Sequence, residues 1–559
     1  MSMITAVSWV PRGHAAQFPT KYVFDDEEYE RIAKLAKLEL DDAREDLEEA
    51  KAAAKDAATE EESAAQAKTD KADGKEDPDS DVDLNDDDLK EYDLEHYDDS
   101  PDEDDDEEAG PASSLAMFGN TRSLAYHSSN AEDPYITLNE DEASDEDERE
   151  ELQILTTDNL VLAAKVEDEV AHLEVYVYED SDDNLYVHHD IMLPAIPLAV
   201  EWINMPVNRK PDAAGATSDK ANFVAIGTLD PDIEIWDLDL VDSMYPNAVL
   251  GSSESRTSAP SALAPSKKKK KKSKKPNATH HVDSVLSLAS SRPHPNLLAS
   301  ASADTTVKLW DLSTLTCAQS YTHHTDKVSS IAWHPTTSTA LLSGSYDRTL
   351  VAADMRAPTS SPARWGVESD IETLAWDPHD DNLFYAATES GILHCFDARA
   401  APSTPEQTKP LWRLQAHESS LGTFAINPEV PGFIATGSSD HTVKLWDTRP
   451  GNSAGPTMVT SRDPGVGRVF AVSFAPDAQV GFRLAVAGSK GSLQVWDTST
   501  NRAVRETFAT RVKGGFEDRA GGAERTVTVA ADGEDSDEDD DDDEEADGQG
   551  KDGWESMEE

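Results

Sequence analysis

Short segments in which apolar and polar residues alternate recur along this chain. Five of them end in an aromatic residue followed by aspartate: IEIWD (233–237), VKLWD (307–311), LHCFD (393–397), VKLWD (443–447) and LQVWD (493–497). Alternation with a period of two is typical of half-buried β-strands. Asp311, Asp354 and Asp397 are spaced 43 residues apart, which is the period of a four-stranded propeller blade with a Trp–Asp ending. The pattern therefore predicts a β-propeller.

A second phrase, alternating apolar residues followed by an aromatic residue and proline, precedes these endings: AVSWVP (6–11), IAWHP (331–335), LAWDP (374–378) and VSFAP (472–476). Because proline cannot donate to a β-ladder, it marks the end of each blade's innermost strand. Two degenerate third strands, TLVAAD (349–354) with Ala353 at the tryptophan position and HLEVYVYE (172–179) with Tyr176 there, raise the blade count to seven.

The blade that contains residues 172–179 has no inner strand nearby in the sequence. The unassigned copy of the phrase lies at the N-terminus, so residues 1–11 are predicted to supply the inner strand of blade 1. The fold class is thus predicted to be all-β, a seven-bladed WD40 β-propeller formed by residues 1–11 and 159–511. The outer strand of the last blade is expected around RAVRETF (502–508).

The charge distribution adds acidic segments to this ring. The net charge is −63, of which residues 25–158 carry −38 and residues 512–559 carry −16. Blocks of like charge stay solvated, so residues 12–158 are predicted to form an acidic, mostly disordered arm, and residues 512–559 an acidic disordered tail. Residues 26–58 contain neither glycine nor proline and predict a helix within the arm. A disordered Lys-rich loop is predicted at about 251–279. Strand topology predicts that the arm leaves one face of the ring, and that the loop and the tail leave the other.

The two cysteines, Cys317 and Cys395, exclude a disulfide framework and fit a reducing compartment. The apolar stretch 191–200 is too short to span a bilayer, and the N-terminus lacks a signal-peptide layout. We therefore expect a soluble cytosolic or nuclear protein without a membrane partner.

Histidine, serine or threonine, aspartate and tryptophan recur at the blade period. A catalytic Ser–His–Asp triad would occur once, in a pocket, whereas repetition favours the hydrogen-bonded structural set of WD repeats. The predicted sets comprise His281, Ser300, Asp304 and Trp310; His324, Ser343 and Asp347; and His417, Thr436, Asp440 and Trp446.

Other candidate sites are weaker. His188, His189 and Asp190 resemble metal ligands by type, but adjacent strand residues point to opposite faces, so the two histidines are not expected to chelate together. The sequence also lacks a phosphate-cradling glycine loop. We therefore expect no catalytic residue, cofactor, metal or small-molecule substrate.

A lysine run is the strongest candidate for recognition by another macromolecule. It consists of Lys267, Lys268, Lys269, Lys270, Lys271, Lys272, Lys274 and Lys275. Such a run is typical of a nuclear import signal, and it also suits contact with RNA phosphates. Ser144 and Ser536 are followed by acidic residues and are candidate phosphorylation sites.

Several longer stretches outside the repeat consensus are similar to one known family. They are SWVPRG, TDNLVLAAKVEDEVAHLEVYVYE, NLYVHHDIMLPAIPLAVEW and SRDPGVGRVFAVSFAPD. On these, the chain resembles the periodic tryptophan protein 1 family of WD-repeat ribosome-assembly factors. The resemblance implies a non-enzymatic scaffold, monomeric within a large complex, in the nucleus and nucleolus. Its implied partners are large-subunit pre-ribosomal proteins and pre-rRNA, whose processing it would support. The alternative is a histone- or chromatin-binding propeller that regulates ribosomal DNA transcription.

Overall fold

The strands of this protein assemble into a ring of seven four-stranded antiparallel sheets, as a computed structural model shows. The structure describes residues 2–22, 149, 152–168, 170–208, 221–251, 276–357, 361–449, 455–511 and 525–529. The predicted helix at 26–58 lies outside these residues. The seven-bladed WD40 propeller predicted from the alternating segments is confirmed.

The first blades are built as follows. Blade 1 contains β1 (Ser2–Val10), β3 (Asn159–Glu167), β4 (Val170–Glu179) and β5 (Asn184–Leu193). Blade 2 contains β6 (Pro197–Ile203), β7 (Phe223–Thr228), β8 (Ile233–Asp237) and β10 (Ala248–Leu250). Blade 3 contains β11 (Val285–Ser290), β12 (Leu297–Ser302), β13 (Val307–Asp311) and β14 (Thr316–Tyr321). Outside the blades, β2 (Thr20–Lys21) pairs in parallel with β9 (Leu240–Val241).

The remaining four blades follow the same order from the inside outward. Blade 4 contains β15 (Val328–Trp333), β16 (Ala340–Ser345), β17 (Thr349–Asp354) and β18 (Ala363–Gly366). Blade 5 contains β19 (Ile371–Trp376), β20 (Leu383–Thr388), β21 (Ile392–Asp397) and β22 (Trp412–Gln415). Blade 6 contains β23 (Leu421–Ile426), β24 (Phe433–Ser438), β25 (Val443–Asp447) and β26 (Thr457–Arg462). Blade 7 contains β27 (Val469–Phe474), β28 (Arg483–Gly488), β29 (Leu493–Asp497) and β30 (Thr526–Val529).

The core lies between neighbouring blades rather than at the centre of the ring. Trp310 of blade 3, for example, is buried in one cluster with Phe223 and Ile235 of blade 2. Because both faces of the second strands are covered, β7 and β12 are apolar or small along almost their whole length. Each blade therefore depends on its neighbours, and blade 1 must meet blade 7 for the ring to close.

The N-terminal strand β1 lies at this closure. It pairs with β3 across a separation of about 150 residues in sequence and carries the register shift near its start that the other six inner strands also show. Ile4 and Trp9 are buried in one cluster with Val480 and Leu493 of blade 7. The strand therefore fills the inner position of blade 1 and covers apolar surface of the neighbouring blade.

Polar contacts across the same junction fix its register. Trp9 Nε1 donates to Ser473 O at 3.1 Å, and Ser2 Oγ donates to Lys490 O at 3.0 Å. Gly491 adopts a φ of +73°, and a Cβ there would overlap the Ser2 side chain. Further out, the buried Arg483 guanidinium of blade 7 forms ion pairs with Asp180 at 2.6 Å and with Asp497 at 2.5 Å. The inner and outer parts of the junction are thus both held by directional contacts.

The end of the propeller differs from the sequence prediction. Residues 502–508, predicted to form the outer strand of blade 7, are an α-helix, α1 (Arg502–Phe508), capped by the Asn501 side chain. The apolar residues Val504 and Phe508 are four apart, so they share one face of a helix and are buried together. The outer strand is instead β30, which pairs with β29 and lies within the segment predicted to be an acidic tail.

Deletion of residues 1–10 should lower the thermal midpoint strongly, because it removes β1 and exposes the apolar surfaces that it covers in blades 1 and 7. Truncation of one buried aromatic side chain costs about 3–5 kcal/mol, so Trp9→Ala alone should give a clear decrease. Differential scanning fluorimetry measures both, with Leu411→Ala as a control because Leu411 is 58% exposed. An unchanged midpoint after the deletion would show that the ring closes without β1.

Two C-terminal truncations should separate β30 from the acidic residues that follow it. A chain that ends at Arg511 lacks β30 and should unfold at a lower urea concentration than the full chain. A chain that ends at Val529 retains the ladder with β29 and should unfold at the wild-type midpoint. Equal midpoints for the two truncated chains would contradict a structural role of β30.

Candidate binding faces of the propeller

The strand order gives the ring two chemically different faces. At one face, which we call the arm face, the chain connects the inner strand of each blade to the second strand. In blade 1 this connection, between β1 and β3, consists of residues 11–158. On the other, the lysine-loop face, each outer strand leads into the next blade. The segment 252–275 is attached to the ring at this face, because it connects β10 to β11. β30 ends there too, since Val529 pairs with Leu493, the first residue of its third strand.

The two ends of the acidic arm are held beside each other at the rim of blade 2. Thr20 N donates to Asp239 O at 3.0 Å and Tyr22 N to Val241 O at 2.9 Å. On the return, Ile154 N donates to Gln17 O at 3.0 Å, and the Arg149 guanidinium lies 4.4 Å from the ring centroid of Phe18. The arm therefore begins and ends at one fixed place on the arm face.

The predicted sites for import, RNA contact and phosphorylation lie outside the described residues. This applies to Lys267–Lys272, Lys274 and Lys275, and to Ser144 and Ser536. Their role stays a prediction.

The repeated polar residues form hydrogen-bonded chains inside the blades. In blade 3, Trp310 Nε1 donates to Ser300 Oγ at 2.8 Å, Ser300 Oγ lies 2.6 Å from His281 Nε2, and His281 Nδ1 lies 3.0 Å from Asp304 Oδ2. Blade 6 repeats the chain with four residues, and the distances from Trp446 to Thr436, from Thr436 to His417 and from His417 to Asp440 are 2.9, 2.9 and 2.8 Å.

Blade 4 retains the chain without its tryptophan. His324 bonds to Ser343 at 2.8 Å and to Asp347 at 3.0 Å, while Ala353 occupies the tryptophan position in β17. The histidine side chains of all three blades are 0% exposed. A buried hydroxyl cannot attack an external substrate, so the geometry assigns these residues to blade stability.

Electrostatics support the same assignment. Burial lowers the pKa of His281 despite its hydrogen bond to Asp304. Burial would raise the pKa of Asp304, but hydrogen bonds from His281 and Thr306 lower it to about 2. With a neutral histidine beside an ionised carboxylate, each of these hydrogen-bonded side chains has a donor or acceptor partner.

Blade 1 replaces this chain with a buried network that the sequence did not reveal. Lys165 Nζ donates to Glu174 Oε1 at 2.9 Å, and Tyr176 Oη donates to the other oxygen of the Glu174 carboxylate. Glu174 occupies the position that Lys308 has in blade 3, and Tyr176 occupies that of Trp310. The degenerate repeat thus satisfies its buried polar groups with different chemistry.

His188 and His189 are closer together than strand alternation allows. A register shift in the β4–β5 ladder leaves His188 unpaired, since Val175 pairs with His189 and Tyr176 with Val187. As a result both rings turn to one side, and their Nδ1 atoms lie 2.8 Å apart. The expectation that they point to opposite faces is therefore wrong, because a bulge interrupts the alternation.

The two histidines form a neutral hydrogen-bonded pair. His188 Nε2 lies 3.1 Å from Leu152 O, so it donates there, and His188 Nδ1 accepts from His189 Nδ1. Burial lowers the pKa of both rings, that of His189 to about 3. Asp190 is exposed. Among the described residues no group of three or more His, Cys, Asp or Glu side chains could hold a metal ion, and no helix is long and apolar enough to cross a membrane.

Comparisons with known proteins agree with this architecture. The family described as "WD domain, G-beta repeat" matches residues 274–311, 315–351 and 408–447. An uncharacterized WD repeat-containing protein of Schizosaccharomyces pombe is 47% identical over 512 residues, which cover 92% of each chain. Periodic tryptophan protein 1 of Saccharomyces cerevisiae is 38% identical over 545 residues, which cover 91% of this chain and 90% of the yeast protein. The chain belongs to the periodic tryptophan protein 1 family.

The match extends beyond the repeats, because it covers 91% of this chain whereas the repeat family matches only residues 274–311, 315–351 and 408–447. The periodic tryptophan protein 1 homolog of Drosophila melanogaster is 38% identical over 172 residues, or 30% of this chain and 32% of that protein. The WD40 propeller and the family membership point to a scaffold-type WD-repeat protein.

The neutral histidine pair should make the fold sensitive to mild acid. In the unfolded chain a histidine binds a proton near pH 6.5, whereas buried His189 does so near pH 3, so stability is lost as pH falls from 6.5 toward 3. For His189 alone the loss between pH 7 and pH 5 is about 2 kcal/mol. Urea unfolding of wild type and His189→Asn measures it.

Asparagine can still donate to His188 but does not titrate, so the variant should lose less stability than wild type over this interval. A loss as large in the variant as in wild type would contradict the burial of a neutral His189. His281, whose pKa is also lowered by burial, should contribute acid sensitivity equally in both proteins.

Proposed function

We propose that this protein is a non-enzymatic scaffold of ribosome biogenesis in the nucleolus, where it binds precursors of the large ribosomal subunit and supports pre-rRNA processing. The observation that carries the proposal is the similarity to periodic tryptophan protein 1 over nine-tenths of both chains, with 91% of this chain covered. The family resemblance implies assembly of ribosomes, and a similarity of this length argues that the whole architecture is shared.

The arrangement of the two faces supports a scaffold. The acidic arm is attached to the ring at the arm face, and the basic loop and the acidic tail are attached at the lysine-loop face, so partners of these segments would approach from two sides. Binding residues of proteins are found disproportionately on loops that a rigid scaffold positions. The eight lysines at 267–272, 274 and 275 suit import into the nucleus and contact with RNA phosphates.

Acidity also supports a second candidate, binding of histones or chromatin with regulation of ribosomal DNA transcription. The net charge of −63 would attract basic histone tails. It would equally attract basic ribosomal proteins, so charge alone favours neither partner, and the family resemblance supports the ribosomal proposal.

Sedimentation of a tagged, full-length protein should separate the two candidates. We expect co-migration with large-subunit precursor particles in a sucrose gradient, together with precursor rRNA, and a shift to the top of the gradient after ribonuclease treatment. The measurement is RNA sequencing and immunoblotting across the gradient. Exclusive association with nucleosomes released by deoxyribonuclease would contradict the ribosomal proposal and support the chromatin one.

A further inference from the structure

A cavity of about 480 Å³ opens on the arm face, where the inner strands of blades 7, 1, 2 and 3 end. The indoles of Trp9 and Trp202 line it. Trp9 Nε1 donates to Ser473 O, and Trp202 Nε1 donates to Asn222 Oδ1 at 3.0 Å. Because both indole N–H groups are occupied, the rings offer the cavity apolar and π surface rather than donors. The size is that of a ligand pocket.

One carboxylate in this wall has a free acceptor. Glu201 Oε1 accepts from Ser290 N at 3.0 Å and from Ser290 Oγ at 2.6 Å. Among the described residues none donates to Oε2 of the same carboxylate. Burial raises the pKa of Glu201, while the Ser290 hydrogen bonds and the Arg292 charge oppose the shift. Glu201 is part-buried in the cavity wall, so Oε2 is an acceptor that a ligand in the cavity can use.

The other charged groups that line the cavity do not donate a hydrogen bond to Glu201 Oε2. Asp477 is a second carboxylate and cannot donate to Glu201; its Oδ2 accepts from Arg12 N at 3.0 Å and from Asn159 Nδ2 at 2.8 Å. Arg292 lines the cavity but is exposed, and no described donor contact joins it to Glu201. In the same wall, Ser291 Oγ is buried and has no hydrogen-bond partner among the described residues. A second acceptor therefore lies in the wall that holds Glu201.

We propose that this cavity binds the side chain of a lysine from a partner polypeptide. The aliphatic stem would pack against the two indoles, the ammonium would be attracted by their faces, and it would donate to Glu201 Oε2. Lysine fits better than arginine, because the guanidinium fork is matched by two free carboxylate oxygens and Glu201 offers one.

The site is independent of the proposed ribosomal role, because any basic partner could supply the lysine. Its position on the arm face is also apart from the lysine loop and the C-terminal tail, which leave the opposite face. Binding at this cavity can therefore be tested on the isolated full-length protein.

The test uses full-length protein labelled with ¹⁵N in tryptophan, and the probes Nα-acetyl-lysinamide and Nα-acetyl-norleucinamide. The norleucine probe has the same stem without the ammonium. We expect a saturable shift of the Trp9 and Trp202 indole N–H signals with the lysine probe, and at least tenfold weaker binding of the norleucine probe. The Glu201→Gln variant, whose amide oxygen can still accept from Ser290, should bind the lysine probe at least tenfold more weakly than wild type.

Glu372→Gln is the matched control, because Glu372 is a carboxylate near the other end of an inner strand, where it accepts from Tyr346 Oη at 3.3 Å. It should bind the lysine probe as wild type does. Absence of a saturable shift, or equal affinity of wild type for the two probes, would overturn the proposal whatever the stability of the variants. Tighter binding of Nα-acetyl-argininamide would overturn the assignment to lysine.

Discussion

Closure of the ring is the constraint on which the rest of the structure depends. In a propeller each blade buries its apolar faces against two neighbours, so the first and last blades are exposed unless they meet. Here the junction of blades 7 and 1 requires a strand from the extreme N-terminus, which supplies Ile4 and Trp9 to a shared core. The Arg483 ion pairs with Asp180 and Asp497 then hold the outer part of the same junction.

This way of closing the ring also determines where the acidic arm is attached. Since β1 and β3 are adjacent in space, the acidic residues between them must leave and return at one place, and the contacts of residues 16–22 and 149–154 hold both ends at the rim of blade 2. The lysine loop and the residues after β30 leave the opposite face. Strand order alone therefore attaches the acidic arm to one face, and the lysine loop together with the acidic tail to the other.

Sequence periodicity was sufficient for the parts of the fold that repeat. The spacing of the Trp–Asp endings and of the inner-strand phrase predicted seven blades and the split of blade 1, because each blade needs the same four strands. It failed at residues 502–508, where Val504 and Phe508 lie on one face of a helix, and at β30, whose four residues are separated from β29 by the long glycine-containing stretch 498–525. Strand alternation likewise failed at His188, because a bulge is a property of the ladder and not of one strand.

For the candidate sites, too, sequence periodicity reveals only the residues that repeat from blade to blade. The polar chains of blades 3 and 6 repeat at the blade period, so their residues can be recognised in the sequence. The Glu174 network joins two consecutive strands, but it replaces the repeated chain of the other blades with different residue types. The cavity at Glu201 brings together side chains from strands that are distant in sequence. Trp9 and Trp202 occupy the same position in the inner strands of neighbouring blades, but only the folded ring shows that Glu201 and Ser291 line one cavity with them.

Native-state hydrogen exchange of the backbone amides in β1 tests the account of ring closure most directly. If β1 is an integral inner strand, the amides of residues 6–10 that bond to β3 should exchange as slowly as those of the β27–β28 ladder in blade 7. Their exchange should then require opening of the junction or global unfolding. Exchange of β1 at the rate of a frayed terminus, with blade 7 still protected, would contradict the claim that the N-terminal strand closes the ring.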